Sequence, residues 1–226
     1  MRPIASGSVS KKSAFTLAFF LIIFGLMIAF TLNLKFLFIL IFYLILQISY
    51  CLYLKNIPLI EFFCIASGFI IRSIAGGLAA EIFISSWFFL CIGMLALFIA
   101  LEKRKAEILT SKINKSLTRK VLKKYSITLI EKYQSIISSC TVITYSLWTF
   151  NPIIGSTKSP LMILTIPLVI MGIFRYQMIG ERGKNKKDIY KQNILETPEK
   201  VIIYDRPLQL ITFSWLLMII FFNITT

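Results

Sequence analysis

The stretch Tyr50 to Gly77 reads YCLYLKNIPLIEFFCIASGFIIRSIAGG, an apolar run broken by Lys55, Glu61 and Arg72. Arg72 is the most demanding of the three. A charged side chain near the centre of a membrane helix costs about 3 kcal/mol on the insertion scale unless it meets a wet cavity or an anionic partner, so such residues mark sites and pathways. Two readings of Arg72 stay open: a guanidinium aimed at an anionic ligand, or one paired with a carboxylate for packing. Gly68, Gly76 and Gly77 lie four and five residues to either side and let neighbouring backbones approach. They place Arg72 inside a bundle.

The other charges gather in short clusters: Arg2, the run ALEKRKAEI with Lys103, Arg104, Lys105 and Glu107, Arg175 in GIFRYQM, and Glu199, Asp205 and Arg206 in ETPEKVIIYDRPL. Arginine forks and lysine point charges beside a few carboxylates suit a polyanionic phosphate. The carboxylates have a second use, because Mg²⁺ is held by one or two of them together with substrate phosphates and neutralises charge on a departing pyrophosphate. The chain contains no histidine, and Cys51, Cys64, Cys91 and Cys140 show no paired spacing. Zinc sites and Cys–His catalysis are excluded, and the cysteines read as small buried hydrophobes. A basic, weakly acidic mouth above a membrane cavity that accepts a lipid tail predicts transfer chemistry between a diphosphate-bearing donor and a lipid.

The elements that must carry these groups are membrane helices. At 226 residues, 57% hydrophobic, with a mean hydropathy of +0.80, the chain is an integral membrane protein of the all-α class. Spans are predicted over 14–32, 36–54, 59–79, 83–101, 132–150, 161–179 and 208–224. The segment before the first span is polar and does not read as a signal peptide. The net charge of +15 sorts by side, not toward nucleic acid: with the N-terminus cytoplasmic, every Lys and Arg except Lys35, Lys158 and Arg72 falls at cytoplasmic segments or helix ends. The C-terminus is then external. Trp87 and Trp148 come out at the external interface, where amphipathic rings belong.

Two cytoplasmic loops are predicted, 102–131 and 180–207. In the first, Ile113, Leu117, Val121 and Tyr125 recur at four-residue spacing among basic residues over Ser111 to Thr128. That pattern predicts an amphipathic helix in the headgroup layer, with a lid over the site as the alternative. Arg175 lies about one turn inside its boundary and can snorkel. Pro58 and Pro207 suit the first turns of the helices they open.

The ordered set RPIASG (Arg2 to Gly7), Tyr50-x-x-x-Leu54-Lys55, GFIIRSIAGG, ALEKRKAEI, GIFRY and PEKVIIYDRPL closely resembles the UbiA superfamily, and within it the decaprenyl-phosphate phosphoribosyltransferase branch. The resemblance runs nearly end to end. It implies a UbiA-type helical bundle in the bacterial plasma membrane, magnesium dependence, and a reaction that moves 5-phosphoribose from phosphoribosyl pyrophosphate to a polyprenyl phosphate, releasing pyrophosphate, for arabinan-type cell-wall precursors. By position, Arg2, Lys55, Arg72, Lys103, Arg104, Arg175 and Arg206 are the implied phosphate-binding residues, and Glu107 and Glu61 the implied magnesium ligands. Glu61 stands where many relatives have aspartate.

Relative to that family the single domain 1–226 begins just after the first aspartate-rich motif and its two helices, so seven of nine helices are expected here. A late start codon, a fragment, or a second chain supplying the missing part would each account for it. Two rivals accompany this reading. One is an aromatic prenyltransferase of the same fold, with a prenyl diphosphate as donor. The other is a noncatalytic membrane protein in which Arg72 and Arg175 line a passage or brace helices.

Overall fold

The computed structural model describes residues 7–114, 120–150, 160–182 and 198–224, and these are helical without a strand. Helices α1 (Lys11–Leu32) and α2 (Leu34–Leu52) turn on Asn33, whose N–H donates to the Ala29 carbonyl at 3.2 Å and whose side-chain oxygen accepts the Lys35 N–H at 2.8 Å. One residue closes one helix and caps the next. Serines do the same work elsewhere: Ser10 caps α1, Ser85 caps α4 (Ser86–Asn114) and Ser126 caps α5 (Ile127–Phe150). The remaining helices are α3 (Ile60–Ala79), α6 (Ile166–Arg182), α7 (Pro198–Tyr204) and α8 (Arg206–Ile224).

Helix α4 is the hub. One side of it packs on α3 and α5 through Leu97, Leu101 and Ile108 against Phe62, Ala66 and Ile130. Its other side, with Phe98 and Ala106, meets Ile173, Tyr176, Val201 and Leu208 of α6, α7 and α8. Outside these cores the usual inside-out order of a water-soluble protein is reversed: Phe15 is 83% exposed, Phe38 68% and Leu210 67%. Such continuous apolar surface needs lipid as its solvent. The protein is an integral membrane protein.

Each of the seven predicted spans coincides with a helix. Five helical stretches are long and apolar enough to cross a bilayer by themselves, within α1, α2, α3, α4 and the turn leading into α6. Helix α5 is too polar to stand among them, yet its hydroxyls are satisfied within the helix: Thr141, Thr144 and Ser146 donate to the carbonyls of Ile137, Cys140 and Val142 at 2.7, 2.8 and 2.8 Å. Helix α8 is apolar but shorter.

The structure differs from expectation at the end of α4. The helix runs on through the charged run to Asn114, because the charges of Glu61, Arg104, Lys105 and Glu107 are paired there. The predicted amphipathic helix over Ser111 to Thr128 lies partly outside the described residues. Its second half is a 3₁₀ turn, Lys120–Lys124, and Val121, Leu122 and Tyr125 are buried in the core around Phe62 and Leu97. These apolar residues face protein, not headgroups.

Candidate active site

The charged run of α4 sorts its side chains by helical position. Arg104 and Glu107, three residues apart, serve the α3 side, and Lys105 serves α5 and α6. The Arg104 guanidinium donates to Glu61 Oε2 from Nε at 3.0 Å and from Nη2 at 2.9 Å, and to Glu107 Oε2 from Nη1 at 2.6 Å. Glu61 is fully buried in the first turn of α3, where the helix N-terminus favours its negative charge. Arg104 and both acids assigned to magnesium therefore form one triad.

Lys105, also buried, bridges Glu131 of α5 at 3.2 Å and Glu181 of α6 at 2.5 Å. Beside it, a Cβ on Gly180 would stand 2.8 Å from Glu102 Oε2, so a larger residue there would require the buried Glu102 carboxylate to shift. Arg175 makes a bidentate pair with Asp205, Nε to Oδ1 at 3.0 Å and Nη2 to Oδ2 at 2.8 Å. Asp205 Oδ1 also accepts the Leu208 N–H at 2.9 Å and so caps α8.

The other assigned cations are placed differently. Lys55 and Lys103 are half-buried and Arg206 is exposed, and among the described residues none of them is in an ion pair. With Arg72, they are the assigned cations in no ion pair among the described residues. Arg2 lies outside the described residues. Arg72 does not point into the bundle as its glycines suggest. Its side chain is exposed in the groove between α2 and α3, with the guanidinium 4.4 Å over the Phe69 ring, 5.7 Å from the Tyr43 ring, and Nη1 3.4 Å from the Tyr43 hydroxyl. The reason is local: α2 is the described helix flanking that side, and a Cβ on Gly76 would meet nothing within 4 Å. Eleven residues separate Arg72 from Glu61, about 16 Å along α3. A carboxylate partner for Arg72 does not occur among the described residues.

Below the triad, α3, α4 and α5 line an open apolar cleft of about 230 Å³ with Leu59, Phe62, Leu97, Leu101, Tyr133 and Ile137. Leu101 precedes Arg104 by less than one turn, so lipid-like space ends directly under the charges. Above, Tyr125 reaches across from the 3₁₀ turn, its oxygen accepting the Leu59 N–H at 2.7 Å. Burial pushes its phenol above the ordinary value, which keeps it a neutral hydroxyl at physiological pH.

The implied magnesium ion does not find a ready site here. Among the described residues no three carboxylate or thiolate ligands converge. Glu61 and Glu107 each commit an oxygen to Arg104. Glu107, with 16% of its side chain exposed, is the acid nearer the outside. The pair is a clamp on a guanidinium, not a cage for a cation.

Residues 1–194 match the UbiA prenyltransferase family. The chain belongs to this family. Among its relatives, the decaprenyl-phosphate phosphoribosyltransferase of Mycolicibacterium smegmatis is 30% identical over 223 residues, 95% of this chain and 67% of the relative. That of Mycobacterium tuberculosis is 31% identical over 215 residues, again 95% and 67%. The protein of the same name from Corynebacterium glutamicum is 30% identical over 223 residues, 97% of this chain and 64% of the relative. This UbiA-family chain thus spans about two thirds of the length of these relatives.

In this UbiA-family chain the sequence points to Arg104, Glu61 and Glu107 and the structure brings them together. It points to Arg206, whereas the engaged neighbour is Asp205, whose position just before an apolar helix is itself an N-cap signal. Lys105, Glu131 and Glu181 carry no assignment from sequence, since nothing in their spacing shows that three helices meet there.

Proposed function

We propose that this chain carries the phosphate-binding mouth of a membrane transferase that moves 5-phosphoribose from phosphoribosyl pyrophosphate to a polyprenyl phosphate. The observation that carries this reading is the shared name of the relatives, whose likeness extends over 95% or more of the chain. In the reaction a phosphate oxygen of the lipid attacks the anomeric carbon, the bond from that carbon to pyrophosphate breaks, and pyrophosphate leaves. The attacking oxygen is already anionic. A general base is not required, and the absence of histidine is no obstacle.

The residues then divide the work. Lys55, Lys103 and Arg206 supply open positive charge for the phosphates of two polyanionic substrates. Arg104 and Arg175, held by carboxylates, shape the mouth and keep α3, α4, α6 and α8 in place. The lipid's tail remains in the bilayer beside the apolar helices. Magnesium dependence follows from the resemblance, and since Glu61 and Glu107 make no cage, no step is assigned to the metal. The positive-inside pattern puts this mouth in the cytoplasm and the C-terminus outside a bacterial plasma membrane.

Competition between donors tests the reading against an aromatic prenyltransferase. Phosphoribosyl pyrophosphate protecting the mouth from proteolysis, with a prenyl diphosphate without effect, is the expected result. The reverse order of protection would favour the prenyl donor.

A further inference from the structure

We propose that Tyr125 is a positioning residue for this mouth, its hydroxyl fixing the backbone turn that sets Glu61 against Arg104. The inference rests on the phosphoribosyl-transfer reading for its consequence in catalysis, but its structural half stands alone. Helix α3 begins without a side-chain cap, on Leu59 at φ 66° and ψ −48°. The Ile60 N–H returns to the Pro58 carbonyl at 2.8 Å, closing a three-residue turn of the strained kind that a branched side chain adopts only under constraint.

The constraint comes from 66 residues away. The Leu59 N–H donates to Tyr125 Oη at 2.7 Å, and the Tyr125 ring packs against Phe62 at 5.5 Å between centroids. Val121, 1% exposed, and Leu122, 6% exposed, anchor the turn that presents this tyrosine. Two residues beyond Leu59 stands Glu61, fully buried and bonded twice to Arg104. If Leu59 relaxes to negative φ, the first turn of α3 rotates and the Glu61 carboxylate moves with it. The turn Lys120–Lys124 and the Tyr125 that follows it therefore act on the mouth through this hydroxyl.

Tyr125→Phe removes that hydroxyl and keeps the ring on Phe62, so the variant folds. In the intact protein in nanodiscs, amide exchange at Leu59 should quicken about tenfold while α5 and α6 stay unchanged. The Michaelis constant for phosphoribosyl pyrophosphate should rise about fivefold with kcat within about twofold, the sign of a displaced binding group. In the Glu61→Gln background the same substitution should lower the melting temperature by less than about half its effect in the parent, because both act on one linkage. Unchanged exchange at Leu59, fully additive melting shifts, or an unchanged Michaelis constant would each overturn the proposal. Should the parent not turn over phosphoribosyl pyrophosphate at all, the reaction reading fails and the exchange and melting results decide the role of Tyr125 by themselves.

Discussion

Arg175 of α6 grips both carboxylate oxygens of Asp205, while one of those oxygens also takes the Leu208 N–H in the first turn of α8. A single aspartate thus couples a cation from one membrane helix to the start of another. The arrangement makes Arg175 a brace between α6 and α8, whatever further contact it makes with substrate.

Asp205→Ala removes the brace and the cap together. Losing a charge-assisted bidentate bond and an N-cap should cost about 2–3 kcal/mol. Asp205→Asn keeps an oxygen for the Leu208 N–H and should cost roughly half as much. Thermal unfolding of the two variants in detergent provides the comparison, and equal losses would mean that the charged pair accounts for the whole effect and the cap adds nothing.

Lys103 and Arg104 are neighbours with opposite fates. Lys103→Ala should leave stability within about 0.5 kcal/mol of the parent while raising the donor requirement, since this lysine is in no ion pair among the described residues. Arg104→Ala strands Glu61 in the interior and should cost about 3–5 kcal/mol. Unchanged donor kinetics in the Lys103 variant would remove that residue from the mouth.

Much of this was legible in the sequence. The span pattern is explicit because each helix must hide its own backbone from lipid, and the charged run around Arg104 stands out against apolar flanks. What spacing does not reveal is who meets whom across helices. Arg72 reads as interior because of Gly68, Gly76 and Gly77, yet only Gly68 and Gly77 are crowded, by Gln47 and by Ile84, and neither contact covers the guanidinium. Val121 and Tyr125 have a surface helix's period but end in the core, since the residues that bury them come from α3 and α4.

Two glycines offer a matched contrast. Gly180→Ala puts a methyl 2.8 Å from Glu102 Oε2, so this buried carboxylate must shift, and should destabilise by about 1 kcal/mol. Gly76→Ala meets open space within a helix and should be neutral or stabilising by up to about 1 kcal/mol. Melting temperatures of the pair settle whether the close approach of α6 to α4 is required.

Orientation has its own check. A cysteine replacing Lys35, at the turn between α1 and α2, should react with an impermeant thiol reagent only from outside the cell, and one replacing Lys55 only from the cytoplasm. Labelling of both from one side would undo the assignment of the mouth to the cytoplasm.

The most direct measurement is transfer itself. The purified protein, in nanodiscs with a polyprenyl phosphate and magnesium, is given phosphoribosyl pyrophosphate labelled in the ribose. Label in the lipid fraction, with one pyrophosphate released per lipid modified, is the expected result. Labelled ribose that stays water-soluble, while a prenyl diphosphate donates its chain to an aromatic acceptor in the same preparation, would contradict it.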